Sequence, residues 1–374
     1  MARSTLLVVC LCLSFVLLTF ASRPRRRSSS ESAEDRVLSP ISRSTSESAE
    51  ERVTVDVFVG TAWEQPVGVC IGPDYQIFAG DFNGDGRQEV LCHNSNTGSK
   101  EIYLTRPDGS LATESVWKKD MGWCNHEGAQ LFVGDFNGDG RSDILCHDTK
   151  TGKKWVSLAQ PGGVFLGTTW QKELNWCKDD TAELFVADIN ADGRYDMLCH
   201  RAKDGYKWVS YAKQDGTFPG TSWEKEMGWC KSNDYQLFVA DFNGDRRADL
   251  LCHGKSDGKK WVAAATPSGT FVGTTWKADM GWCNHNGAEI LIGDFNKDKR
   301  SDMMCSDTTG QKWIAYSEKD GSFTSTSWQK EMGWCTSDNK LIIADVNGDG
   351  GDDMVCHYPS NGNKYIAFNQ LPTP

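Results

Sequence analysis

The sequence predicts an all-β fold, a six-bladed β-propeller of four-stranded blades in which an N-terminal strand closes the last blade. Three observations predict it. An acidic motif recurs six times between residues 81 and 353, cysteines recur in pairs with the same spacing, and no helical periodicity is present after residue 53. Repeats of about 50 residues are typical of propellers and of other repeat architectures.

The acidic motif reads Asp-x-Asn-x-Asp and ends in a carboxylate at its ninth position. Its first residues lie 54, 53, 53, 53 and 51 positions apart, so the motif marks one fixed point of a longer repeat. A single copy could be a solvated turn, but six copies in register argue against that interpretation. The six copies begin at Asp81, Asp135, Asp188, Asp241, Asp294 and Asp345.

One repeat, residues 130–170, contains four short runs with the residue pattern of β-strands. The runs are residues 130–136, 143–147, 154–159 and 164–170. The acidic loop separates the first two, and turns that contain Gly, Asp or Pro separate the others. Four short antiparallel strands are the content of one propeller blade, so we predict six such blades.

The two ends of the repeat region predict how the ring closes. Residues 53–63 match the fourth strand of a repeat, whereas residues 364–368 match a third strand that no fourth strand follows. We therefore expect residues 53–63 to complete the sixth blade. This arrangement leaves no open sheet edge between the termini.

Three regions are predicted along the chain. Residues 1–21 combine a basic residue, an apolar run and small residues, as a secretory signal peptide does. Residues 22–52 are rich in Arg, Ser and Glu and predict a disordered propeptide or tether, because they contain too few apolar residues to form a core. The basic cluster at 23–27 is either a protease cleavage site or a flank of the signal peptide. Residues 53–374 form the predicted propeller.

The charge of the chain restricts its partners. The formal net charge is −11, whereas nucleic acids and anionic membranes bind basic surfaces, so we expect neither as a partner. No apolar stretch after the signal peptide approaches the roughly 18 residues that cross a bilayer, so we expect no membrane insertion. These features predict a secreted, extracellular protein.

The acidic motif is predicted to bind calcium. Side-chain oxygens at positions 1, 3, 5 and 9 and the backbone carbonyl at position 7 can surround one hard cation, and up to six Ca²⁺ are expected. We expect the weakest binding in the fourth and fifth loops, where Arg246 and Lys299 replace the glycine at position 6. The predicted ligands are, loop by loop, Asp81, Asn83, Asp85, Arg87 and Glu89; Asp135, Asn137, Asp139, Arg141 and Asp143; Asp188, Asn190, Asp192, Arg194 and Asp196; Asp241, Asn243, Asp245, Arg247 and Asp249; Asp294, Asn296, Asp298, Arg300 and Asp302; Asp345, Asn347, Asp349, Gly351 and Asp353.

Twelve cysteines follow the signal peptide, two in each repeat, and in an oxidising compartment they predict disulfides. Pairing within each repeat is favoured. Pairing between neighbouring blades, for example Cys92 with Cys124, satisfies the same geometry and stays open. The pairs within repeats are Cys70 with Cys92, Cys124 with Cys146, Cys177 with Cys199, Cys230 with Cys252, Cys283 with Cys305, and Cys335 with Cys356.

A second repeated signature lies on the face opposite the acidic loops. Five linkers between repeats contain Trp-Cys, and five second strands end in Cys-His. Indole rings can stack on sugar rings while polar neighbours bind hydroxyl groups. The alternative is that these side chains only pack between blades, which we favour for the third-strand tryptophans. The candidate ligand-binding residues are Trp123, Trp176, Trp229, Trp282, Trp334, His147, His200 and His253.

The repeated sequence Phe-Val-Ala/Gly-Asp-Phe-Asn-Gly-Asp-Gly-Arg-x-Asp-Leu/Ile-Leu resembles the FG-GAP/VCBS repeat family, the calcium-loop propellers of integrin α-chains and of calcium-binding lectins. The resemblance covers residues 54–369. It implies the propeller fold and calcium binding, whereas the functions of the family range over adhesion, glycan binding and modules attached to enzymes. Relatives usually have seven blades, but this sequence contains six motifs.

We expect no enzymatic activity, because nucleophile, zinc-protease and nucleotide-binding motifs are absent and the clustered carboxylates are assigned to metal. The sequence favours a multivalent carbohydrate-binding protein whose partners are glycans or extracellular glycoproteins. The alternative is an extracellular-matrix, cell-adhesion or biomineral-associated protein that binds protein partners.

Overall fold

The computed structural model describes residues 56–65, 68–336 and 338–372. These residues form strands and loops only, and six four-stranded antiparallel sheets are arranged as the blades of a propeller. No helix in these three ranges is long and apolar enough to cross a membrane. The predicted signal peptide (1–21), the predicted tether (22–52) and residues 53–55 lie outside the described residues.

Each blade is a meander whose first strand lies nearest the axis, since the first strands of neighbouring blades contact one another. Blade 1 contains Tyr75–Gly80, Glu89–Asn94, Ser99–Tyr103 and Trp117–Asp120. Blade 2 contains Ala129–Gly134, Asp143–Asp148, Lys153–Ser157 and Trp170–Glu173. Blade 3 contains Ala182–Ala187, Asp196–Arg201, Tyr206–Ser210 and Trp223–Glu226.

The other three blades repeat this order. Blade 4 contains Tyr235–Ala240, Asp249–Gly254, Lys259–Ala263 and Trp276–Asp279. Blade 5 contains Glu289–Gly293, Asp302–Ser306, Gln311–Ala315 and Trp328–Glu331. Blade 6 contains Lys340–Ala344, Asp353–His357, Lys364–Ala367 and, from the other end of the chain, Trp63–Gln65.

The N-terminal strand closes the sixth blade, as predicted. Trp63–Gln65 pairs antiparallel with Lys364–Ala367, with Trp63 opposite Ile366. The paired strand is shorter and later than the expected residues 53–63. Upstream of it, Phe58 is fully buried and packs its ring edge against Phe295.

The fourth strand of blade 2 also begins later than the predicted residues 164–170. In blade 2 it is Trp170–Glu173, and Val164–Phe165 instead forms a short ladder with Ala159–Gln160. Phe165 explains the difference, because its ring is 1 % exposed and packs against Trp117 of blade 1 at 5.4 Å. Because its ring is buried between blades, this segment lies outside the four-stranded sheet. Burial of one such ring contributes roughly 2 kcal/mol to the stability of the fold.

The acidic loops join neighbouring blades around the axis. The backbone N–H at position 8 of each loop donates to the carbonyl oxygen at position 1 of the preceding loop. Ser142 donates to Asp81 at 2.6 Å, and Gln88 donates to Asp345 at 2.9 Å, which closes the ring between the last and first blades. The other four pairs are Tyr195 with Asp135, Ala248 with Asp188, Ser301 with Asp241 and Asp352 with Asp294.

Six disulfides form, each within one repeat, so the favoured pairing is confirmed and the alternative between blades is not formed. Each bond joins a linker cysteine to the second strand of the following blade and spans 21 or 22 residues. In the chain-entropy model, closing a loop of this length with a disulfide stabilises the folded protein by about 3 kcal/mol. The bonds join Cys70 to Cys92, Cys124 to Cys146, Cys177 to Cys199, Cys230 to Cys252, Cys283 to Cys305, and Cys335 to Cys356.

The two cysteines of each bond differ in backbone conformation. The linker cysteine is left-handed in all six repeats, as in Cys124 with φ 59°. Its partner, such as Cys146, lies in a regular strand and is almost fully buried. The disulfide therefore fixes a sharp turn of the linker against the second strand of the following blade.

Candidate functional site

The first acidic loop, residues 81–89, wraps its backbone around the carboxylate of Asp81. One oxygen of Asp81 accepts the N–H groups of Gly84 and Asp85, and the other accepts the N–H of Gly86. The Oδ1 atom of Asn83 accepts the N–H of Asp85 at 2.8 Å. These bonds bring the side chains at positions 1, 3 and 5 into one tight turn.

The same turn forms in the other five loops. In each, the amide at position 6 donates to the position-1 aspartate, and the amide at position 5 donates to the asparagine at position 3. Arg246 and Lys299 adopt φ values of 69° and 67°, the left-handed conformation that glycine takes elsewhere at position 6. The position-6 donors are Gly140, Gly193, Arg246, Lys299 and Gly350.

The ninth residue of every loop is a fully buried carboxyl group. Asp143 accepts the N–H groups of Phe136 and Ala159 at 2.9 and 2.7 Å. Burial, reinforced by the charges of the loop aspartates, raises the pKa of Glu89 to about 8 and that of Asp143 to about 7. Burial also raises the pKa values of the equivalent residues Asp196, Asp249, Asp302 and Asp353.

The first loop brings its carboxylates closest together. Oxygens of Asp81, Asp85 and Glu89 lie within 4.8 Å of one another, and no other three Asp, Glu, His or Cys side chains of the described residues converge in this way. Glu89 reaches further than an aspartate because its side chain has one more methylene group. This set of carboxylate and amide oxygens fits a hard cation such as Ca²⁺, and the other loops present the same types of donor.

The arginine at position 7 has a role that sequence analysis did not identify. The guanidinium of Arg141 pairs with Asp139 of the same loop, and its Nε donates to the carbonyl oxygen of Ala159 at 3.3 Å. In the sixth loop Gly351 occupies position 7, and a lysine of the fifth loop takes the place of the guanidinium. The equivalent pairs are Arg87 with Asp85, Arg194 with Asp192, Arg247 with Asp245 and Arg300 with Asp298.

On the opposite face, a histidine and a lysine of blade 2 bind the linker that leads to blade 3. His147 Nε2 lies 2.6 Å from the carbonyl oxygen of Cys177, and Lys154 Nζ donates to the carbonyl oxygen of Trp176 at 3.2 Å. Lys154 is 0 % exposed, and burial lowers its pKa to about 7. This pair, which we call the linker clasp, holds neighbouring blades together.

The burial of the lysines of the linker clasp could have been recognised from the sequence alone. In each third strand the lysine alternates with buried apolar residues, as Lys154 does with Val156. Strand alternation therefore places it on a buried face. The equivalent lysines, Lys100, Lys207, Lys260, Lys312 and Lys364, are equally buried and donate to the carbonyl oxygens of Trp123, Trp229, Trp282, Trp334 and Val69.

The three candidate histidines belong to the linker clasp and lie inside the ring. His147, His200 and His253 are 1, 4 and 3 % exposed. Burial, together with the neighbouring lysine, lowers their pKa values to about 4, 3 and 4. His147 and His200 hold linker carbonyl groups, and His253 also lines a cavity between blades 4 and 5.

The five candidate linker tryptophans differ in exposure. Trp176, Trp282 and Trp334 are only 7, 9 and 8 % exposed, whereas Trp123 and Trp229 are half-buried. The indole N–H of Trp229 donates to Thr274 Oγ1 at 2.9 Å, and its ring lies 5.1 Å from the ammonium of Lys207. The structure therefore leaves two of the five rings in part accessible from outside.

The third-strand tryptophans, which we expected to pack between blades, are half-buried as well. Trp208 is covered by Tyr206, with ring centroids 4.3 Å apart, and by the guanidinium of Arg201 at 4.9 Å. Trp261 contacts Tyr235 through a ring edge at 5.5 Å and borders two surface cavities. Trp261 thus presents an indole face that Trp208 does not.

The junction of blades 3 and 4 brings these aromatic residues together. Trp229, Trp261 and Tyr235 line one cavity of about 370 Å³, which we call the aromatic cavity. Its wall also contains Gly228, Lys231, Thr274 and the Cys230–Cys252 disulfide. Of the candidate ligand-binding residues, only Trp229 lies in this cavity, and Trp261 joins it from the third strand.

Solved structures similar to this chain include a lectin from Agrocybe aegerita that specifically recognises non-reducing terminal N-acetylglucosamine. It is 21 % identical over 81 % of this chain and 82 % of the lectin, with a TM-score of 0.56. The Photorhabdus luminescens Tc holotoxin pore is 15 % identical over 83 % of this chain but only 14 % of its own, with a TM-score of 0.55. Both likenesses concern the fold. No curated protein matches the sequence.

A profile of the FG-GAP-like repeat matches residues 81–146, 188–252 and 294–356, which together make up more than half of the chain. Each matched segment begins at the first residue of one acidic loop and ends in the second strand that follows the next loop. The profile therefore follows the repeat seen in the structure, two loops at a time. The chain belongs to the FG-GAP-like repeat family.

Proposed function

We propose that this protein is a secreted, calcium-stabilised propeller that binds carbohydrate at its blade junctions and has no enzymatic activity. The observation that carries the proposal is the aromatic cavity, where Trp229, Trp261 and Tyr235 meet. Its volume of about 370 Å³ lies within the range of small-molecule sites. The similarity in fold to a lectin that recognises N-acetylglucosamine supports the same class of ligand.

The chemistry of the aromatic cavity suits a sugar ring. The C–H face of a pyranose stacks on an indole, and its hydroxyl groups need hydrogen-bonding partners beside that indole. Trp261 supplies the indole face, while the Thr274 hydroxyl and the Lys231 ammonium supply polar partners at the wall. Trp229 is held by Thr274 and Lys207, so it forms a fixed wall of the cavity.

Calcium has a structural role in this proposal. Each ion would be held by the oxygens of one acidic loop and would supply two positive charges between its carboxylates. The buried ninth residue would then be ionised beside a cation, which offsets the cost of burying it. Six ions would supply about twelve positive charges against the formal net charge of −11.

The six disulfides are typical of an oxidising, extracellular environment, which supports secretion. The proposed partners are therefore glycans or extracellular glycoproteins. A matrix or adhesion protein that binds proteins is the competing candidate, and it predicts binding that is independent of carbohydrate.

The test is binding to a printed array of defined saccharides, including terminal N-acetylglucosamine, in calcium and in EDTA. The proposed function predicts saccharide binding in calcium, loss in EDTA, and at least a tenfold loss in Trp261→Ala. Trp208→Ala is the matched control, because it removes the same ring at the same strand position where neighbouring side chains cover it. Equal losses in both variants, or binding to no saccharide, would overturn the proposal.

A further inference from the structure

A second cavity, of about 480 Å³, lies between blades 4 and 5 and shares no lining residue with the aromatic cavity. Its wall is rich in amide side chains, namely Asn233, Gln236, Asn284 and Asn286. Asp234 and Lys255 contribute opposite charges to the same wall. The cavity therefore offers many hydrogen-bond donors and acceptors without a net preference for an anion or a cation.

Of the two histidines in this wall, His253 belongs to the linker clasp and His285 does not. Its ring packs edge-on against Trp313 at 5.3 Å, and its Nε2 lies 3.8 Å from a carboxylate oxygen of Asp307. Beside it, the side-chain amide of Asn284 donates to the carbonyl oxygen of Ser256 in blade 4 at 3.4 Å. These contacts position an exposed imidazole at the cavity between two blades.

The same arrangement of a histidine beside a tryptophan and an aspartate recurs three blades away. The His126 ring packs edge-on against Trp155 at 5.5 Å, and its Nε2 lies 3.8 Å from an oxygen of Asp148. The side-chain amide of Asn125 donates to the carbonyl oxygen of Asn96 in blade 1 at 3.3 Å. The preceding blade repeats two residues of the wall, since Asp74 and Gln76 occupy the positions of Asp234 and Gln236, whereas Pro73 and Ser95 replace Asn233 and Lys255.

Blades 2 and 5 lie half a turn apart in a six-bladed ring. Their linkers read Met-Gly-Trp-Cys-Asn-His-Glu-Gly-Ala and Met-Gly-Trp-Cys-Asn-His-Asn-Gly-Ala, at residues 121–129 and 280–288. At the position of the histidine, the linkers before blades 3 and 4 have Asp179 and Ser232 instead. The two histidine groups are thus a matched pair on opposite sides of the ring.

We propose that the junctions of blades 1 with 2 and of blades 4 with 5 form two equivalent polar saccharide sites, so that one ring bridges two glycan chains. Hydroxyl groups both donate and accept hydrogen bonds, which matches a wall of amides, an imidazole and a carboxylate. The inference rests on carbohydrate binding as the function, but it does not depend on the aromatic cavity.

The test compares wild type, Trp261→Ala and the double variant His126→Ser, His285→Ser on the same saccharide array. Both histidine side chains are exposed, so the substitutions should leave the fold intact, and thermal unfolding checks this. The inference predicts at least a tenfold loss, in the double variant, of binding to saccharides that Trp261→Ala still binds.

Bridging is tested separately, in the Trp261→Ala background, with a polyvalent glycoprotein that bears a saccharide this variant still binds on the array. Each single histidine variant should keep about half of the polar sites and should no longer precipitate this glycoprotein. A double variant that binds as the wild type does would overturn the inference and leave the proposed function intact. An array on which the wild type binds nothing would overturn both.

Discussion

The ammonium of Lys297, in the fifth acidic loop, lies 2.9 Å from a carboxylate oxygen of Asp349 in the sixth loop. In each of the other five loops, the aspartate equivalent to Asp349 pairs with an arginine at position 7 of its own loop. In the sixth loop Gly351 replaces that arginine, and an added Cβ there would overlap Cε of Lys297. Lysine at one position and glycine at the other are therefore complementary.

This complementarity predicts the effect of substituting Lys297 and Gly351 singly and together. Lys297→Ala removes the cation and should destabilise the protein by up to about 1 kcal/mol, because Asp349 then keeps only the amides of Asn347 and Gly351 as partners. Alanine occupies this position in the third loop as Ala191, with the same left-handed backbone. Gly351→Arg alone should also destabilise it, because the new side chain meets Lys297. The double variant should regain most of the loss, since it recreates the Arg and small-residue pair of the other loops. Thermal unfolding in calcium measures all three, and strictly additive losses would contradict the prediction.

Position 6 predicts which acidic loops bind calcium more weakly. Arg246 adopts a left-handed backbone conformation at a cost of about 1 kcal/mol and adds a positive charge near the ion. Arg246→Gly should therefore tighten binding in the fourth loop about fivefold. The matched change Gly193→Arg should weaken the third loop by a similar factor. Calorimetric calcium titration measures both, and two variants that titrate as the wild type does would refute this interpretation.

The linker clasp predicts a loss of stability in acid. Burial lowers the pKa of His147 from 6.5 to about 4, so the folded protein keeps this ring neutral while the unfolded chain takes up a proton. The contribution of His147 to the free energy of unfolding is therefore fully present above pH 6.5 and is lost as the pH drops towards 4. At pH 5 the loss from this residue is roughly 2 kcal/mol.

His147→Ser tests the acid effect, because serine occupies the same position in blade 5 as Ser306. The variant should be less stable than the wild type at pH 7.5, where it lacks the bond to Cys177. It should lose less stability between pH 7.5 and pH 5. Urea unfolding at the two pH values measures the difference, and parallel losses in both proteins would exclude His147 as a source.

The aromatic cavity predicts different roles for its two tryptophans. Trp229→Phe removes the indole N–H that donates to Thr274 but retains an aromatic wall. It should lower stability by about 1 kcal/mol and leave saccharide binding within about threefold of wild type. Trp261→Ala should lower saccharide binding at least tenfold, and it should also lower stability because the ring packs against Tyr235 and the blade core. Unfolding and binding measured on the same preparations decide this, and loss of binding in Trp229→Phe would assign the contact to Trp229 instead.

Much of the fold was predictable because one local motif is repeated. The side chains of Asp81, Asn83 and Asp85 bind amides within their own loop, so sequence alone specifies the turn. Six turns at a nearly constant spacing then specify six blades. The missing strand at the C-terminus predicted that an N-terminal segment, residues 53–63, completes the sixth blade, and Trp63–Gln65 does so by pairing with Lys364–Ala367.

The contacts between blades could not be predicted in the same way. Lys154 reads as a surface residue, yet its partner is a carbonyl group 22 residues later in the next linker. Phe165 is the second residue of the run 164–170, which resembles a strand, but its ring enters the preceding blade's core. Exposure of Trp261 depends on which residues of a neighbouring strand cover it. Each of these properties is set by tertiary packing rather than by a local pattern.

The central claim is that divalent ions hold together acidic loops whose carboxylates would otherwise repel one another. The most direct measurement is the melting temperature of the purified protein in excess EDTA and in millimolar calcium. Binding to several loops should raise it by at least about 10 °C in calcium. An identical melting temperature in the two conditions would contradict the claim.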